Sequence, residues 1–384
     1  MARINPFKPT AGMNPPELIG RDVILDDFIE ALENGPGAPD RLLRVSGVRG
    51  VGKTVLLNAL GDVAREYGFH VVDVAANAGF CDRILGALAR NREVSSLSIS
   101  PSIPGVSLDS VGISKSATQL GQAMYEASCN GGLLITLDDI QDAPLDEMRE
   151  LGNEIQLLVR QGANVAFAFA GFPASVDGVV MGETLTFLQR AKHVELKRLM
   201  DFEVGDSFEE TMVRAGKSVA PGVADALTAA ATGYPFMVQL VGYYTWQSAS
   251  RRGSDAVELR DAQKGIATAR KSFDNMVIEP ALRRVSGKQF EYLAAMARCG
   301  FGLVASGDIA REMGGRLHVR EHLSSPPRRC GAHRGAVIRH GQLCNPLHAR
   351  VSARACEGVG MPSEAVFKKA LFMGSRVLVQ IACQ

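Results

Sequence analysis

The sequence predicts an α/β protein in which a parallel β-sheet carries helices on both faces and an all-helical domain follows. Over the first 200 residues, short apolar segments alternate with longer segments of helical apolar spacing, which is the pattern of strands joined by helical crossovers. From residue 201 to 284 the spacing is helical only. Residues 286–316 add two further predicted helices.

Five apolar segments predict the strands, at residues 41–47, 70–76, 131–140, 164–171 and 193–199. A helix is predicted over 53–68, where apolar residues recur at helical spacing and a glycine ends the run. The Ser-, Gly- and Pro-rich segment 95–116 predicts a loop or an exposed hairpin. Strands that alternate with helices in this order favour a single parallel sheet.

The chain has 384 residues, of which 46% are hydrophobic and 22% charged, so it is long enough for two or three domains with their own cores. No apolar run approaches the ~18 residues of a membrane-spanning helix, and the N-terminal segment lacks the apolar core of a secretory signal. The seven cysteines show no framework spacing, which favours reduced thiols. These observations predict a cytoplasmic protein that does not enter a membrane.

The segment "GVRGVGKT" at 47–54 fits the phosphate-loop pattern G-x-x-x-x-G-K-[ST] and lies between a predicted strand and a predicted helix. Glycines let backbone N–H groups turn inward around phosphate oxygens, and the helix that begins at Lys53 adds its positive end. Lys53 is expected to neutralise phosphate charge, and Thr54 is expected to bind Mg²⁺. The predicted ATP ligands are Gly47, Val48, Arg49, Gly50, Val51, Gly52, Lys53 and Thr54.

Two adjacent carboxylates lie at the end of the third predicted strand, in "LLITLDDI". Asp138 ends the strand and is predicted to hold Mg²⁺ together with Thr54. Asp139 is the candidate catalytic base that activates the attacking water, although its side chain is one methylene shorter than that of glutamate. A solvated strand end is the alternative interpretation of this pair.

In this order of motifs the sequence resembles the AAA+ and STAND P-loop ATPases, most of all the clade of origin-recognition initiators and related prokaryotic ATPases, over residues 14–316. The likeness rests on "ELIGRD", the phosphate loop, "LLITLDD", "TFLQRAKHVEL" and "ATGYPFMVQLVG". The resemblance implies that Gly20 and Arg21 lie against the adenine and that Tyr234, in the lid, contacts the nucleotide. It also implies that Arg190 is an arginine finger. A finger acts across a subunit interface, so self-association is implied too; a surface arginine is the alternative.

Two departures from the family pattern bear on hydrolysis. Many AAA+ proteins end the fourth strand with a polar residue that orients the attacking water, whereas here the strand ends in "AFAFAGFP". The lid of initiators often carries an arginine directed at the γ-phosphate, and here the corresponding segment is "GYPF". Because the polar residue after the fourth strand and the lid arginine are both missing, the resemblance predicts a switch that binds Mg-ATP between core and lid and hydrolyses it slowly. The alternative is a DNA-binding, initiator-like or loader-like ATPase.

The predicted domains follow these motifs. They are an extended arm at 1–16, a nucleotide-binding domain at 17–200, a helical lid at 201–284, the start of a winged helix-turn-helix at 285–316 and an atypical basic tail at 317–384. In a winged helix, a recognition helix for the DNA major groove would follow residue 316. Pro326 and Pro327 would break such a helix, so the winged helix is predicted to be truncated or altered.

The tail holds ten Lys and Arg against three Asp and Glu, with five of the seven His and four of the seven Cys. Three interpretations stay open: a basic arm for nucleic acid, a change of reading frame after Arg316, or a zinc site at Cys330, His333, Cys344 and His348. The frame change is favoured, because codons can be chosen so that the shifted frame encodes a recognition helix, a wing and a closing helix. The tail's cations are then not selected DNA contacts, which counts against DNA as a partner.

Overall fold

The computed structural model describes residues 4–10, 12–96, 119–181, 186–283, 285–299 and 306–314. These residues form two compact units that divide between Phe273 and Asp274. The predicted sheet domain and the predicted lid as far as Phe273 belong to the first unit, whereas the last residues of the predicted lid, from Asp274, belong to the second. Apart from its first two residues, the predicted loop at 95–116 lies outside the described residues, as does the whole basic tail.

A five-stranded sheet with the order β2-β3-β4-β1-β5 forms the centre of the first unit, and all neighbours are parallel. Its strands are β1 (Leu42–Ser46), β2 (His70–Ala75), β3 (Leu133–Asp138), β4 (Val165–Gly171) and β5 (Lys192–Glu195). β3 and β4 are interior strands buried along nearly their whole length, which explains why they are continuous apolar runs. The predicted parallel sheet and its five strands are confirmed.

Helices cover both faces of this sheet: α1 (Asp22–Glu33), α2 (Lys53–Glu66), α3 (Phe80–Ser96), α4 (Gln119–Cys129), α5 (Leu145–Arg160) and α6 (Pro173–Met181). Side chains alternate along a strand, so neighbouring residues of β3 face opposite ways. Leu134 packs in a cluster with residues of α1 and α2, whereas Ile135 packs in a cluster with residues of α3, α4 and α5. Each face of the sheet therefore has its own apolar core.

The lid is built from α7 (Asp201–Arg214), α8 (Val223–Ala231), α9 (Pro235–Arg251) and α10 (Leu259–Phe273). α9 and α10 pack closely, since a Cβ on Gly265 would lie 2.6 Å from the backbone of Thr245. The lid differs from the helix-only expectation in one detail: the strands β6 (Ser218–Val219) and β7 (Ala256–Val257) pair in parallel. Strands of two residues are too short to produce an alternating pattern, so the sequence did not reveal them.

The second unit begins with a π-helical turn at Asp274–Ile278 and contains α11 (Glu279–Arg283), α12 (Gly287–Arg298) and α13 (Ser306–Glu312). The Ser286 hydroxyl accepts the N–H of Gln289, whose side chain accepts the N–H of Ser286 in return, so α12 begins with a capping box. α12 and α13 stand where the first two helices of the winged helix-turn-helix were predicted. No helix of the described chain combines the length and the apolar character needed to cross a membrane.

The N-terminal arm is anchored to the lid by Phe7. Its ring is 2% exposed and lies 6.0 Å from the ring of Phe208 on α7. It packs so closely on α9 that a Cβ on Gly242 would lie 2.4 Å away. Asn5 and Lys8 flank it with hydrogen bonds to residues of the same helix. The arm is thus part of the lid core, which its Pro-rich composition did not indicate.

Phe7→Ala is expected to lower the free energy of unfolding by about 3–5 kcal/mol, the usual cost of deleting a buried phenyl ring. Chemical denaturation should show a lower midpoint with an unchanged slope. Ile4→Ala is the matched control, because Ile4 lies on the same arm and is 82% exposed. It should change stability by less than about 0.5 kcal/mol. Equal stability of the two variants would contradict the anchoring role of Phe7.

Candidate nucleotide-binding site

The predicted phosphate loop runs from the end of β1 to the start of α2, and three of its glycines are required by geometry. Gly50 and Gly52 have φ angles of +75° and +99°, in the left-handed region that side chains disfavour. A Cβ on Gly47 would lie 2.7 Å from Cγ1 of Val51. Gly52 directly precedes α2, so the turn ends at the positive end of that helix.

The Lys53 ammonium lies within this turn. Its Nζ donates to the carbonyl oxygens of Gly47 at 3.0 Å and of Val48 at 3.1 Å. It also lies 5.0 Å from the centroid of the Phe172 ring, directly after β4. A buried ammonium needs such acceptors to offset its lost hydration. The structure therefore places the charge that was predicted to neutralise phosphate inside the loop.

The two predicted Mg²⁺ ligands are in direct contact. The Thr54 hydroxyl, in the first turn of α2, donates to the Asp138 carboxylate at 2.5 Å, and the N–H of Asp139 donates to its other oxygen at 2.9 Å. Burial raises the pKa of Asp138 and the charge of Asp139 adds to this effect, whereas the Thr54 bond opposes it. A hydroxyl and a carboxylate supply the oxygen ligands that Mg²⁺ prefers, so these residues fit the predicted ion.

The candidate base Asp139 has a φ of 58°, which is rare for a residue with a side chain. It is exposed, and the side-chain amide of Gln141 donates to its carboxylate at 2.9 Å. Gln141 belongs to a 3-10 turn, Ile140–Asp142, that follows β3. Sequence reasoning did not single out Gln141, although a polar residue two positions after a candidate base is a signal that could have found it.

Gly20 and Arg21, predicted to lie against the adenine, contact the start of the lid. Arg21 donates to the carbonyl of Lys197 at 2.8 Å. Burial lowers the pKa of Arg21, and the nearby Glu203 carboxylate opposes that effect. A Cβ on Gly20 would lie 2.7 Å from a carboxylate oxygen of Glu203, so a side chain there would displace α7 or its glutamate. Contact with adenine stays a prediction.

Tyr234 joins the lid to the phosphate loop. It directly precedes α9, it is 3% exposed, and its hydroxyl donates to the carbonyl of Arg49 at 2.9 Å. A Cβ on Gly50 would lie only 1.9 Å from that hydroxyl. The structure thus brings Tyr234 against the backbone of the loop, while its predicted contact with the nucleotide stays a prediction.

Arg190 is exposed at the end of a 3-10 turn, Thr186–Arg190, that precedes β5. Because β5 is parallel to β1, this position is at the amino edge of the sheet, whereas the phosphate loop follows the carboxyl end of β1. Within one chain, Arg190 and the loop are therefore separated by the length of a strand. A role as an arginine finger would need a second copy of the chain and stays a prediction.

The raised pKa of Asp138 predicts a pH dependence of stability. The folded chain keeps this proton to a higher pH than the unfolded chain, so above pH ~3.9 the folded state binds more protons. Stability should therefore fall as the pH rises from that value through the pKa of folded Asp138. Asp138→Asn should remove this component when denaturation is measured between about pH 3.5 and 7. Stability curves that run parallel for the two proteins would contradict the raised pKa.

Comparison with known proteins supports the fold. No protein-family model and no curated protein sequence matches the chain. A Walker-type ATPase of Pyrococcus abyssi matches with a TM-score of 0.54 at 15% identity, over 79% of this chain and 85% of that chain. Cdc6p of Pyrobaculum aerophilum matches with a TM-score of 0.49 at 17% identity, over 79% and 82%. The Aeropyrum pernix ORC2 protein in ADPNP-ADP complexes matches with a TM-score of 0.45 at 16% identity, over 80% and 82%.

Identities this low are evidence of fold alone. In this chain the fold consists of a sheet in the order β2-β3-β4-β1-β5, a glycine-dependent loop after β1 and helices after β5. The chain therefore has a fold similar to that of AAA+ ATPases, a five-stranded parallel sheet with helices on both faces followed by a helical lid.

Proposed function

We propose that the protein is a P-loop ATPase that binds Mg-ATP at residues 47–54 and hydrolyses it slowly as a molecular switch. One observation supports this most: Thr54 of the loop touches Asp138, a carboxylate 84 residues further along the chain. A glycine-dependent turn at a helix N-terminus suits phosphate, and a hydroxyl beside a carboxylate suits a divalent cation. The two kinds of ligand lie next to each other, as the phosphates and the metal of Mg-ATP do.

Each residue of this site would then have a separate task. Lys53 exchanges its two carbonyl acceptors for phosphate oxygens, and the N–H groups of the loop bind the same anion. Thr54 and Asp138 hold Mg²⁺, which when bound neutralises phosphate charge. Asp139 accepts a proton from the attacking water, because it is an exposed carboxylate directly after Asp138.

Slow hydrolysis is supported by the surroundings of Asp139. Its side chain is shorter than that of glutamate, so its reach towards a water is reduced. The end of β4 is apolar, with Gly171 followed by Phe172, and offers no Asn, Ser or Thr to orient a water. Catalysis by a positioned base depends on geometry, so both features lower the expected rate.

The switch is supported by Tyr234. Its hydroxyl binds the carbonyl of Arg49, so a loop that rearranges around phosphate also changes a contact of the lid. Its ring packs edge-on against Phe273 of α10 at 5.9 Å, which connects that contact to the lid core. Occupancy of the loop would therefore bias the arrangement of the lid, as a nucleotide switch requires.

Self-association through the ATPase domain belongs to the same proposal. Arg190 is exposed at the amino edge of the sheet, away from the phosphate loop of its own chain. As an arginine finger it would reach the site of a neighbouring copy, with a guanidinium that stabilises the charge developing on the transferred phosphate. The site would then be complete only in the assembly.

Lys53→Ala is expected to weaken ATP binding roughly 100-fold, since the charge-assisted hydrogen bonds from Lys53 to the phosphates are lost. Isothermal titration with Mg-ATP measures the affinity. Lys264→Ala is the matched control, because Lys264 is an exposed lysine on α10 and is not one of the predicted ATP ligands. Equal ATP affinity of the Lys53→Ala variant and the unaltered chain would overturn the assignment of the phosphate loop.

A DNA-binding role is the second candidate function. α12 and α13 favour it, because they match the predicted start of a winged helix-turn-helix. The recognition helix and the wing of such a domain fall on residues after 314, outside the described residues. Under the reading-frame hypothesis, the basic residues of 317–384 would contact DNA only through its phosphates.

DNA binding by this chain is accordingly expected to be independent of sequence and to weaken steeply with salt. Fluorescence anisotropy with two unrelated duplexes, between about 50 and 200 mM salt, measures both properties. Each DNA phosphate that the protein neutralises makes the fall of log affinity with log salt concentration steeper, and this effect does not depend on the DNA sequence. A strong preference for one duplex that persists at the higher salt would support the initiator-like function instead.

A further inference from the structure

Gln141 has a side-chain amide whose orientation is fixed by chemistry. Its Nε2 donates to Oδ1 of Asp139 at 2.9 Å. An ionised carboxylate can only accept hydrogen bonds, so the NH₂ group must face Asp139 and the amide oxygen must face away from it. The amide is therefore a donor to the candidate base, and its orientation does not depend on an arbitrary choice between N and O.

The rest of the Gln141 amide is packed against the end of β4. Its Oε1 is buried and accepts no hydrogen bond from the described residues. A Cβ on Gly171 would lie 3.3 Å from that oxygen and 2.5 Å from Cγ1 of Ile140. The turn after β3 thus fills the space that a side chain at the end of β4 would need. A side chain at Gly171 would collide with Ile140 and press on the Gln141 amide.

Asp139 is consequently held from two directions. Its backbone N–H donates to Oδ1 of Asp138 at 2.9 Å, and its carboxylate accepts from Gln141. Its left-handed φ turns the chain sharply at this residue, so that the side chain of Gln141 folds back onto it. A polar chain then runs from Thr54 through Asp138 and Asp139 to Gln141.

We infer that Gln141 is a positioning residue for the Asp139 carboxylate. The inference rests on the proposed ATPase function and adds a residue to it. By holding one carboxylate oxygen, Gln141 fixes the rotamer of the candidate base and leaves the other oxygen for the attacking water. In this role Gln141 acts through Asp139.

The test is the rate of Mg-ATP hydrolysis in the Gln141→Leu variant of the full chain, measured with ATP affinity by titration. Leucine keeps most of the volume and removes the donor, so kcat should fall roughly 10–100-fold, the effect of misplacing a catalytic group. The dissociation constant for ATP should stay within about twofold, because Lys53 and Thr54 are untouched. Gln161→Leu, at an exposed position after α5, is the matched control and should leave kcat unchanged.

A double-variant cycle separates positioning from a merely structural role. Because Gln141 acts through Asp139, the pair Asp139→Asn and Gln141→Leu should be no slower than Asp139→Asn alone. Additive losses, or an unchanged kcat in Gln141→Leu, would overturn the inference while leaving the ATPase intact. An unaltered chain that binds ATP but shows no turnover, even with enzyme in excess, would also overturn it. Loss of ATP binding by the unaltered chain would instead remove the proposed function itself.

Discussion

The parallel pairing of β1 with β4 and of β4 with β3 is the constraint on which the candidate site depends. Because the three strands run the same way, the phosphate loop and the carboxylates after β3 emerge at one edge of the sheet. The register pairs Ser46 with Gly171, and Thr54 can then reach Asp138. If one strand slipped by one residue in its pairing, each of its side chains would face the opposite side of the sheet. Residues of one apolar core would then point into the other. Apolar packing therefore secures the geometry of the polar site.

The site needs that support because two of its side chains carry like charges that repel each other. Asp138 and Asp139 are adjacent carboxylates, and the hydrogen bonds from Thr54 and from the backbone only partly offset burial, since the pKa of Asp138 is still raised. Lys53 directs its ammonium at the carbonyls of the loop. A divalent cation that brings its own phosphate ligands would relieve the repulsion between the carboxylates. This is a physical reason for nucleotide and metal to bind together.

Residues whose chemistry is local could be predicted from the sequence. The phosphate loop is a fixed spacing of glycines before a helix, and the interior strands β3 and β4 are continuous apolar runs. Phe7 could not be predicted to belong to the lid core, because its partners lie on helices more than 190 residues away. The contact of Tyr234 with the loop also crosses a long stretch of chain, 185 residues. Gln141 is close in sequence to Asp139, but its role depends on the direction of a side chain that only the turn's geometry sets.

The phosphate loop is held on both sides by contacts that a phosphate group would have to change. On the inside, Lys53 is bound to two loop carbonyls and to the face of Phe172. Charge-assisted hydrogen bonds are worth about 1.5–3 kcal/mol each and a cation–π contact about 0.5–2 kcal/mol, so phosphate must offset several kcal/mol. On the outside, Tyr234 holds the carbonyl of Arg49, the residue after Val48. If Lys53 left the carbonyl of Val48 for a phosphate, the next peptide, which carries the carbonyl of Arg49, would be free to turn. Tyr234 of the lid binds that same carbonyl. In the proposed switch, coupling between nucleotide and lid would need no long pathway, because one short segment of backbone would serve both.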